Sequence, residues 1–260
     1  MNWLGLEGKV AVVTGAGGGI GKAIAAAFGE AGARVALLDL NGETVAAAAR
    51  ETGGKAIVCD VTSDDSVARA VAEVEAAYGT ADILVNNAAY VTPGSLDTVA
   101  IADWQRMLDV NLTGYLRCAQ RFGAAMLERG SGAVVHVGSI SGHHQQAFSN
   151  AYSATKAAVS MLSRQLAYEW GPRGVRSNVV APGLVRTPLS EAFYAHEPTR
   201  IAREAVVPLG RIGHVRDIAD MALFLSSDRA GYVTGQEIIV DGGFSQTLMS
   251  HIPRPGYSND

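Results

Sequence analysis

Short runs of β-branched and other apolar residues alternate along the chain with longer, alanine-rich stretches. The short runs are typical of buried strands, and the longer stretches are typical of helices with one apolar face. We predict strands at Val10–Thr14, Arg34–Leu40, Ala56–Val61, Ile83–Asn86, Ala133–Val137, Ser177–Val180 and Glu237–Val240. We predict helices between them at Gly21–Ala31, Glu43–Glu51, Asp64–Tyr78, Asp103–Glu128, Tyr152–Trp170 and Asp217–Leu225.

Strands that alternate with helices favour right-handed crossovers into one parallel sheet that is covered by helices on both faces. A length of 260 residues suits a single large domain of this kind better than two small ones. We therefore predict one α/β domain over residues 1–260, with a three-layer, doubly wound fold and a seven-stranded parallel sheet.

Two segments break the alternation. Thr187–Leu209 is a polar and aromatic stretch bracketed by prolines, and we predict that it is an irregular insertion that covers the substrate. Phe244–Asp260 contains Pro253 and Pro255, and we predict an extended C-terminal arm.

Composition excludes several classes of protein. The 21 Lys and Arg against 25 Asp and Glu leave a net charge of −4, which argues against a nucleic-acid partner. Cys59 and Cys118 are the two cysteines, too few for a disulfide framework and without the spacing of a zinc site. No apolar run reaches the ~18 residues of a membrane span, and the first residues do not resemble a signal peptide. We expect a cytoplasmic protein with no metal and no membrane partner.

The first predicted strand runs directly into Thr14–Gly21, which reads TGAGGGIG and opens a helix. A Walker loop would need Gly at 16 and Ser or Thr at 23, and both positions are Ala. The common dinucleotide fingerprint would need Gly at 20, where Ile20 stands. The pattern T-G-x-x-x-G-x-G does fit, and it places Gly15, Gly19 and Gly21 where a pyrophosphate meets a helix N-terminus.

Asp39 ends the second predicted strand, 18 residues after Gly21. A carboxylate at this point can accept hydrogen bonds from adenosine ribose hydroxyls, although it can also serve simply as a turn former before Asn41. The same charge would repel the 2′-phosphate of NADP, and no Arg or Lys stands nearby to neutralise that phosphate. We expect NAD as the cofactor.

Tyr152 and Lys156 lie four residues apart at the start of a predicted helix and therefore on one face. A free tyrosine has a pKa near 10, so a neighbouring ammonium and an oxidised nicotinamide would favour its phenolate form. A surface pair without function is the alternative. Ser139 follows a predicted strand, at the carboxyl edge where open α/β sheets bind ligands.

These residues resemble the short-chain dehydrogenase/reductase family, over nearly the whole chain from Gly8 to Gly243. The matching motifs, in order, are TGAGGGIG, the Asp60 of CDVT, NNAA at Asn86–Ala89, the Asn111 of DVNLTG, Ser139, YSATK at Tyr152–Lys156, PGLVRT at Pro182–Thr187 and TGQEIIVDGG at Thr234–Gly243. The resemblance implies a Rossmann fold and hydride transfer between a nicotinamide and a carbinol carbon. One departure is Ala89, where the family usually has glycine.

The resemblance also implies a role for each matching residue. Tyr152 would be the general acid/base, Ser139 would bind the substrate oxygen, and Lys156 would bind the nicotinamide ribose and lower the tyrosine pKa. Asn111 would hold a water that links Lys156 to solvent. The implied cofactor-binding residues are Gly15, Gly19, Ile20, Gly21, Asp39, Asp60, Val61, Asn87, Ala88, Tyr152, Lys156, Pro182, Gly183, Val185 and Thr187.

Our leading hypothesis is an NAD-dependent dehydrogenase or reductase of a secondary alcohol or ketone in a small, ring or sugar-like substrate. The alternatives are a 3-oxoacyl thioester reductase, acting on acyl carrier protein or coenzyme A, and a nucleotide-sensing protein without turnover. The resemblance implies a homotetramer. His143 and His144 follow Ser139, and they form either a wall of the substrate pocket or a solvated loop.

Overall fold

The computed structural model describes residues 3–252. The main sheet is formed by β1 (Val10–Thr14), β2 (Arg34–Asp39), β3 (Lys55–Val58), β4 (Ile83–Asn86), β5 (Gly132–Val137), β6 (Val175–Pro182) and β9 (Glu237–Val240). Its order is β3-β2-β1-β4-β5-β6-β9, with every neighbouring pair parallel. The predicted seven-stranded, doubly wound parallel sheet is confirmed, and the order changes direction between β1 and β4.

Helices cover both faces of this sheet. In chain order, the α-helices of the described residues are α1 (Gly19–Glu30), α2 (Gly42–Thr52), α3 (Asp64–Tyr78), α4 (Ile101–Leu108), α5 (Gly114–Arg129), α6 (Tyr152–Trp170), α7 (Glu191–Ala195), α8 (Glu197–Ala205) and α9 (Val215–Ser226). A short pair, β7 (Val185–Arg186) and β8 (Gly213–His214), forms a separate two-stranded sheet.

Alternating side chains of β1 divide the core into two apolar layers. Ala11 and Val13 pack on one face with residues of α1 and α9, whereas Val10 and Val12 pack on the other face with residues of α3 and α5. All five residues of β1 are buried. Burial on both faces explains why the strands read as continuous apolar runs rather than as alternating ones.

The long helix predicted at Asp103–Glu128 contains a change of pitch. α4 and α5 are joined by a π-helical turn at Asp109–Thr113, and Asn111 lies inside that turn with a buried side chain. Single π turns inside α-helices occur frequently at functional sites. The pattern of apolar positions predicts the helix but not the additional residue in its turn.

The prediction that Thr187–Leu209 is irregular was wrong, because α7 and α8 occupy much of it. Pro198 lies in the first turn of α8, where its missing N–H costs nothing. Arg200 and Glu204 form an i,i+4 ion pair along the same helix. These local interactions stabilise a short, mostly polar helix whose apolar residues Ile201, Ala202 and Ala205 lie on one face.

The prediction of an extended arm was also wrong for the part of the tail that the structure describes. 3₁₀ turns at Phe244–Gln246 and Leu248–His251 replace it. Asp241 nucleates the first turn by accepting hydrogen bonds from the backbone N–H groups of Gly243 and Ser245. The predicted contribution of Pro253 and Pro255 lies outside the described residues.

Candidate active site

A cavity of about 450 Å³ opens at the carboxyl edge of the sheet, beside the point where the strand order changes direction. Predicted site residues that line it are Gly15, Gly19, Ile20, Asp39, Asn87, Ser139, Tyr152, Lys156, Pro182, Gly183, Val185 and Thr187. The cavity wall does not include Gly21, Asp60, Val61, Ala88 or Asn111. The fold therefore brings most of the predicted set together, from six separate segments of the chain.

Gly21 acts through close packing behind the glycine turn. A Cβ at this position would lie 2.2 Å from the carbonyl oxygen of Gly15 and 2.5 Å from the side-chain Nδ2 of Asn87. That same Nδ2 donates hydrogen bonds to the carbonyl oxygens of Thr14 (3.0 Å) and Gly15 (2.9 Å). Gly21 thus allows the turn to close tightly over α1, and Asn87 holds the turn in place.

Thr14 supports the turn from the other direction. Its Oγ1 accepts hydrogen bonds from the backbone N–H groups of Asn87 (3.0 Å) and Ala88 (3.1 Å). These bonds tie the loop after β4 to the end of β1. In the protein alone, Asn87 and Ala88 therefore shape the nucleotide groove by bracing its backbone.

Asp39 faces the cavity from the end of β2. Its Oδ2 accepts a hydrogen bond from the backbone N–H of Gly17 (2.9 Å), and its Oδ1 accepts one from Asn41 (3.0 Å). A carboxylate has further lone pairs, so these bonds leave acceptor capacity for a ribose. Both interpretations of Asp39 are compatible with this geometry.

Asp60 and Val61 lie in the loop after β3, outside the cavity wall. Asp60 Oδ1 accepts hydrogen bonds from the backbone N–H (2.9 Å) and the hydroxyl (2.7 Å) of Thr62. The carbonyl oxygen of Val61 accepts a hydrogen bond from Arg117. These contacts order the loop, and the predicted contact with adenine stays a prediction.

Ser139, Tyr152 and Lys156 share one wall of the cavity. Burial raises the pKa of Tyr152, and the hydrogen bond from Ser139 is the interaction of the protein that opposes this rise. Burial lowers the pKa of Lys156 to about 7. Desolvation is the largest effect on the tyrosine in the protein alone, and the predicted lowering of its pKa by Lys156 stays a prediction.

Asn111 acts as a clamp between elements. Its Oδ1 accepts a hydrogen bond from the backbone N–H of Tyr90 (2.7 Å), and its Nδ2 donates one to the carbonyl oxygen of Tyr90 (2.9 Å). The same Nδ2 lies 3.5 Å from Thr155 Oγ1, next to Lys156 in sequence. Both N–H groups of Nδ2 are therefore used by protein groups, whereas Oδ1 keeps one lone pair. The predicted role of Asn111 in holding a water stays a prediction.

The comparisons with known proteins agree with this geometry. Residues 15–245 match the family described as "Enoyl-(Acyl carrier protein) reductase", adh_short_C2. The chain is 39% identical to D-threitol dehydrogenase of Mycolicibacterium smegmatis, over 92% of this chain and 94% of that protein. It is 40% identical to cis-4-hydroxycyclohexanecarboxylate dehydrogenase of Sinomonas cyclohexanicum, over 91% and 96%.

A solved structure is similar over the same length. The crystal structure of a gluconate 5-dehydrogenase from Burkholderia cenocepacia, in complex with NADP and tartrate, has a TM-score of 0.89 and 33% identity. The alignment covers 95% of this chain and 99% of that chain. The chain belongs to the short-chain dehydrogenase/reductase family. It is accordingly an oxidoreductase of a family that uses nicotinamide cofactors.

In this short-chain dehydrogenase/reductase, one of the hydrogen-bond partners of Lys156 is Tyr115, a residue that the sequence analysis did not single out. Lys156 Nζ donates hydrogen bonds to the carbonyl oxygen of Val137 (2.7 Å) and to the hydroxyl of Tyr115 (3.3 Å). Tyr115 is fully buried, and its hydroxyl in turn lies 3.3 Å from Val137 O. The four-residue spacing of Asn111 and Tyr115 in a predicted helix could have indicated that both side chains lie on the same buried face of that helix.

A buried polar chain continues from Tyr115 into the sheet. The Tyr115 ring stacks on His136, with 5.8 Å between ring centroids. Asn86 Nδ2 lies 3.3 Å from His136 Nδ1, and an amide nitrogen can only donate, so Nδ1 accepts and Nε2–H donates to Ser177 Oγ (3.2 Å). Burial and then the charge of Lys156 lower the pKa of His136 to about 3. His136 is therefore a neutral structural group.

His143 and His144 are exposed, as in the solvated-loop interpretation, and His143 also makes a contact that the sequence did not predict. Its Nε2 lies 2.8 Å from Glu237 Oε2, and the Glu237 side chain is only 5% exposed. The cavity wall includes neither His143 nor His144. The contact between His143 and Glu237 links the loop after Ser139 to the outer strand β9.

The insertion contributes Pro188 and Leu189 to the cavity wall. Phe193 and Tyr194 instead contact the guanidinium of Arg203, and Tyr194 is buried. Within residues 3–252, no group of His, Cys, Asp and Glu has the arrangement of a metal site. Over the same residues, no helix combines the length and apolar character needed to cross a membrane.

Replacement of Lys156 by Met should remove a pH dependence from the free energy of unfolding. The pKa of Lys156 is about 7 when folded and 10.5 ordinarily. The unfolded chain therefore holds a proton that the folded protein has released, and stability increases as the pH rises through this range. Between pH 6 and pH 9 the unsubstituted protein should gain roughly 2–3 kcal/mol more than Lys156→Met, measured by urea unfolding.

Lys55→Met on the outer strand β3 is the control, and it should retain the pH dependence of the unsubstituted protein. An identical change in stability between the two pH values for Lys156→Met and the unsubstituted protein would contradict the lowered pKa.

Proposed function

We propose that this protein is an NAD-dependent dehydrogenase or reductase that transfers a hydride between the nicotinamide and a secondary alcohol or ketone of a ring or sugar-like substrate. The observation that carries the proposal is the convergence of Ser139, Tyr152 and Lys156 on one wall of a cavity whose other end is the glycine turn. Polyol and cyclic-alcohol dehydrogenases among the relatives support the substrate class.

The residues of the chain supply orientation and proton movement. NAD, when bound, supplies the acceptor for the hydride. In alcohol oxidation, the Tyr152 oxygen takes the proton of the substrate hydroxyl, and Ser139 Oγ holds the substrate oxygen in place. Lys156 binds the nicotinamide ribose, and its ammonium, together with the charge of oxidised nicotinamide, offsets the burial that raises the Tyr152 pKa. Asn111 belongs to the proton path to solvent.

Tyr152→Phe should retain NADH binding and lose at least about 10² in kcat, because it removes the positioned acid/base and little else. Turnover measured by NADH absorbance and NADH affinity measured by fluorescence test the two halves separately. Tyr168→Phe, on an exposed position of the same helix, is the matched control and should leave turnover unchanged. Nearly normal turnover in Tyr152→Phe would refute the assigned role.

Cofactor preference should be NAD over NADP, because the carboxylate of Asp39 opposes a phosphate on the ribose. Among the described residues of the cavity wall, Lys156 is the single cation, and it belongs to the catalytic end. The related gluconate 5-dehydrogenase is in complex with NADP, so discrimination depends on individual residues. Asp39→Ala should relax the ratio of kcat/KM values for the two cofactors rather than abolish activity.

Asp39→Asn separates charge from structure, since an amide oxygen can still accept the hydrogen bond from Gly17. We expect Asp39→Asn to relax the ratio as much as Asp39→Ala does. A preference of the unsubstituted protein for NADP would overturn the assignment.

Two alternatives are less well supported. A reductase of carrier-bound 3-oxoacyl groups, the activity for which a relative that is 36% identical is named, is expected to prefer NADPH and to present basic residues at its entrance. The described cavity wall has no arginine. A nucleotide sensor would bind NADH without turnover, and an absorbance assay over a panel of alcohols separates the two classes.

We also propose a homotetramer with dihedral symmetry. Ala157 and Met161 are exposed on α6 and offer a small apolar surface, and β9 forms an open edge of the sheet. Light scattering should give about four times the mass of the 27.1 kDa chain. Met161→Arg should lower that mass, whereas Val58→Arg on β3 should not. A monomer at assay concentration would refute the proposal.

We propose that Thr187–Leu209 closes over the bound substrate. Every residue of α8 is described, and none has a buried side chain, so local opening of this helix has a small free-energy cost. Pro188 and Leu189 already reach the cavity. Closure would exclude water from the reacting groups.

Hydrogen exchange with and without NAD and substrate tests the closure. The backbone amides of Thr187–Leu209 should gain protection in the ternary complex, and those of α3, on the opposite side of the sheet from α1, should not. Unchanged exchange across the segment would rule the closure out.

A further inference from the structure

We infer that the substrate is a neutral, largely apolar cyclic alcohol, and that Val91 and Leu189 select it against polyols and anions. The inference rests on the proposed function, because it concerns the same cavity. It goes further by choosing among substrate classes that share the secondary alcohol.

The cavity wall divides by chemistry. The glycine turn, Asp39 and Asn87 form the nucleotide end, the Pro182–Thr187 run follows it, and Ser139, Tyr152 and Lys156 form the catalytic wall. The remaining wall residues share an apolar character and are Ala89, Val91, Val137, Gly138, Pro188 and Leu189. The part of the wall left for the body of a substrate therefore offers no polar side chain among the described residues.

Two polar residues of the loop after Ser139, His143 and Gln146, are engaged elsewhere. His143 contacts Glu237. The backbone N–H of Gln146 donates a hydrogen bond to Ser153 Oγ, and its side-chain oxygen lies 3.5 Å from Ser141 Oγ. Neither residue lines the cavity. The hydroxyls of a polyol, apart from the reacting one, would leave water without gaining protein partners.

An anionic substrate lacks a partner of opposite charge. Lys156 is the one cation in the described cavity wall, and its Nζ is held by Val137 O at 2.7 Å and assigned to the cofactor. A carboxylate that enters this cavity would therefore be desolvated without compensation.

Two side chains of the apolar wall are exposed to solvent, so covering them with an apolar substrate would contribute favourable binding free energy. Val91 is 43% exposed and Leu189 is 77% exposed, although both line the cavity. They lie on two different segments, the loop after β4 and the insertion. An apolar ring placed between these segments would remove both side chains from water, and one additional methyl group in such a position changes kcat/KM by about 10- to 200-fold.

The test is a series of substrates built on one ring: cyclohexanol, 4-methylcyclohexanol, 1,4-cyclohexanediol and 4-hydroxycyclohexanecarboxylate, each as separated cis and trans isomers, with galactitol as the open-chain polyol. We expect kcat/KM with NAD to be highest for 4-methylcyclohexanol, about 10- to 100-fold lower for the diol, and lowest for the carboxylate and galactitol. A higher kcat/KM for the diol, the carboxylate or galactitol than for 4-methylcyclohexanol would overturn the inference.

Two variants connect the preference to its residues. Val91→Asn and Leu189→Gln should each lower the ratio of kcat/KM for 4-methylcyclohexanol over the diol by about tenfold or more. Ile201→Gln changes an exposed residue of the same insertion that does not line the cavity, and it should leave the ratio unchanged. Unchanged ratios in both cavity variants would overturn the assignment of Val91 and Leu189.

The outcomes separate this inference from the proposed function. Turnover with a reversed preference would overturn the inference and leave the hydride-transfer function in place. Absence of NADH formation with every ring alcohol and with galactitol would overturn the proposed function, and the inference with it.

Discussion

The ammonium group of Lys156 is fully buried, with the carbonyl oxygen of Val137 at 2.7 Å and the hydroxyl of Tyr115 at 3.3 Å. A buried cation is costly unless polar groups surround it, so the elements that carry these partners must keep a fixed relation. Those elements are α6, the end of β5 and the first turn of α5. The π turn ends at Thr113, two residues before Tyr115, and so sets the rotation at which Tyr115 enters the interior.

The loop after β4 connects this arrangement to the nucleotide end. Asn87 braces the glycine turn, and Tyr90 is clamped on both backbone groups by Asn111, which also reaches Thr155 beside Lys156. Ala89 and Val91, between and beyond these anchors, line the cavity. One short segment therefore positions the turn and the substrate wall together, and a displacement of it would disturb both.

The sheet, most helices and most of the cavity residues were predictable, because buried parallel strands leave apolar runs and the glycine turn is a local pattern. The helices of the insertion were missed although Ile201, Ala202 and Ala205 recur on one face of α8, because the segment is short, polar on average and bracketed by prolines. The contact between Tyr115 and Lys156 joins residues 41 positions apart. Such a contact depends on how α5 and α6 pack on β5, and spacing in sequence contains no measure of it.

The apolar substrate wall and Lys156, whose pKa is about 7, both affect the protonation of Tyr152. Lys156 is buried whatever fills the cavity, but Tyr152 lies at the cavity wall, so solvent in the cavity would weaken the attraction between the ammonium and a phenolate. A ring that fills the space along Val91 and Leu189 would displace that solvent. The attraction would then strengthen and favour the phenolate form, which must be present before the substrate hydroxyl can give up its proton. A polyol would bring its own hydroxyl dipoles into the same space and keep the screening. The lining that selects the substrate thereby also helps to set the protonation of the residues that act on it.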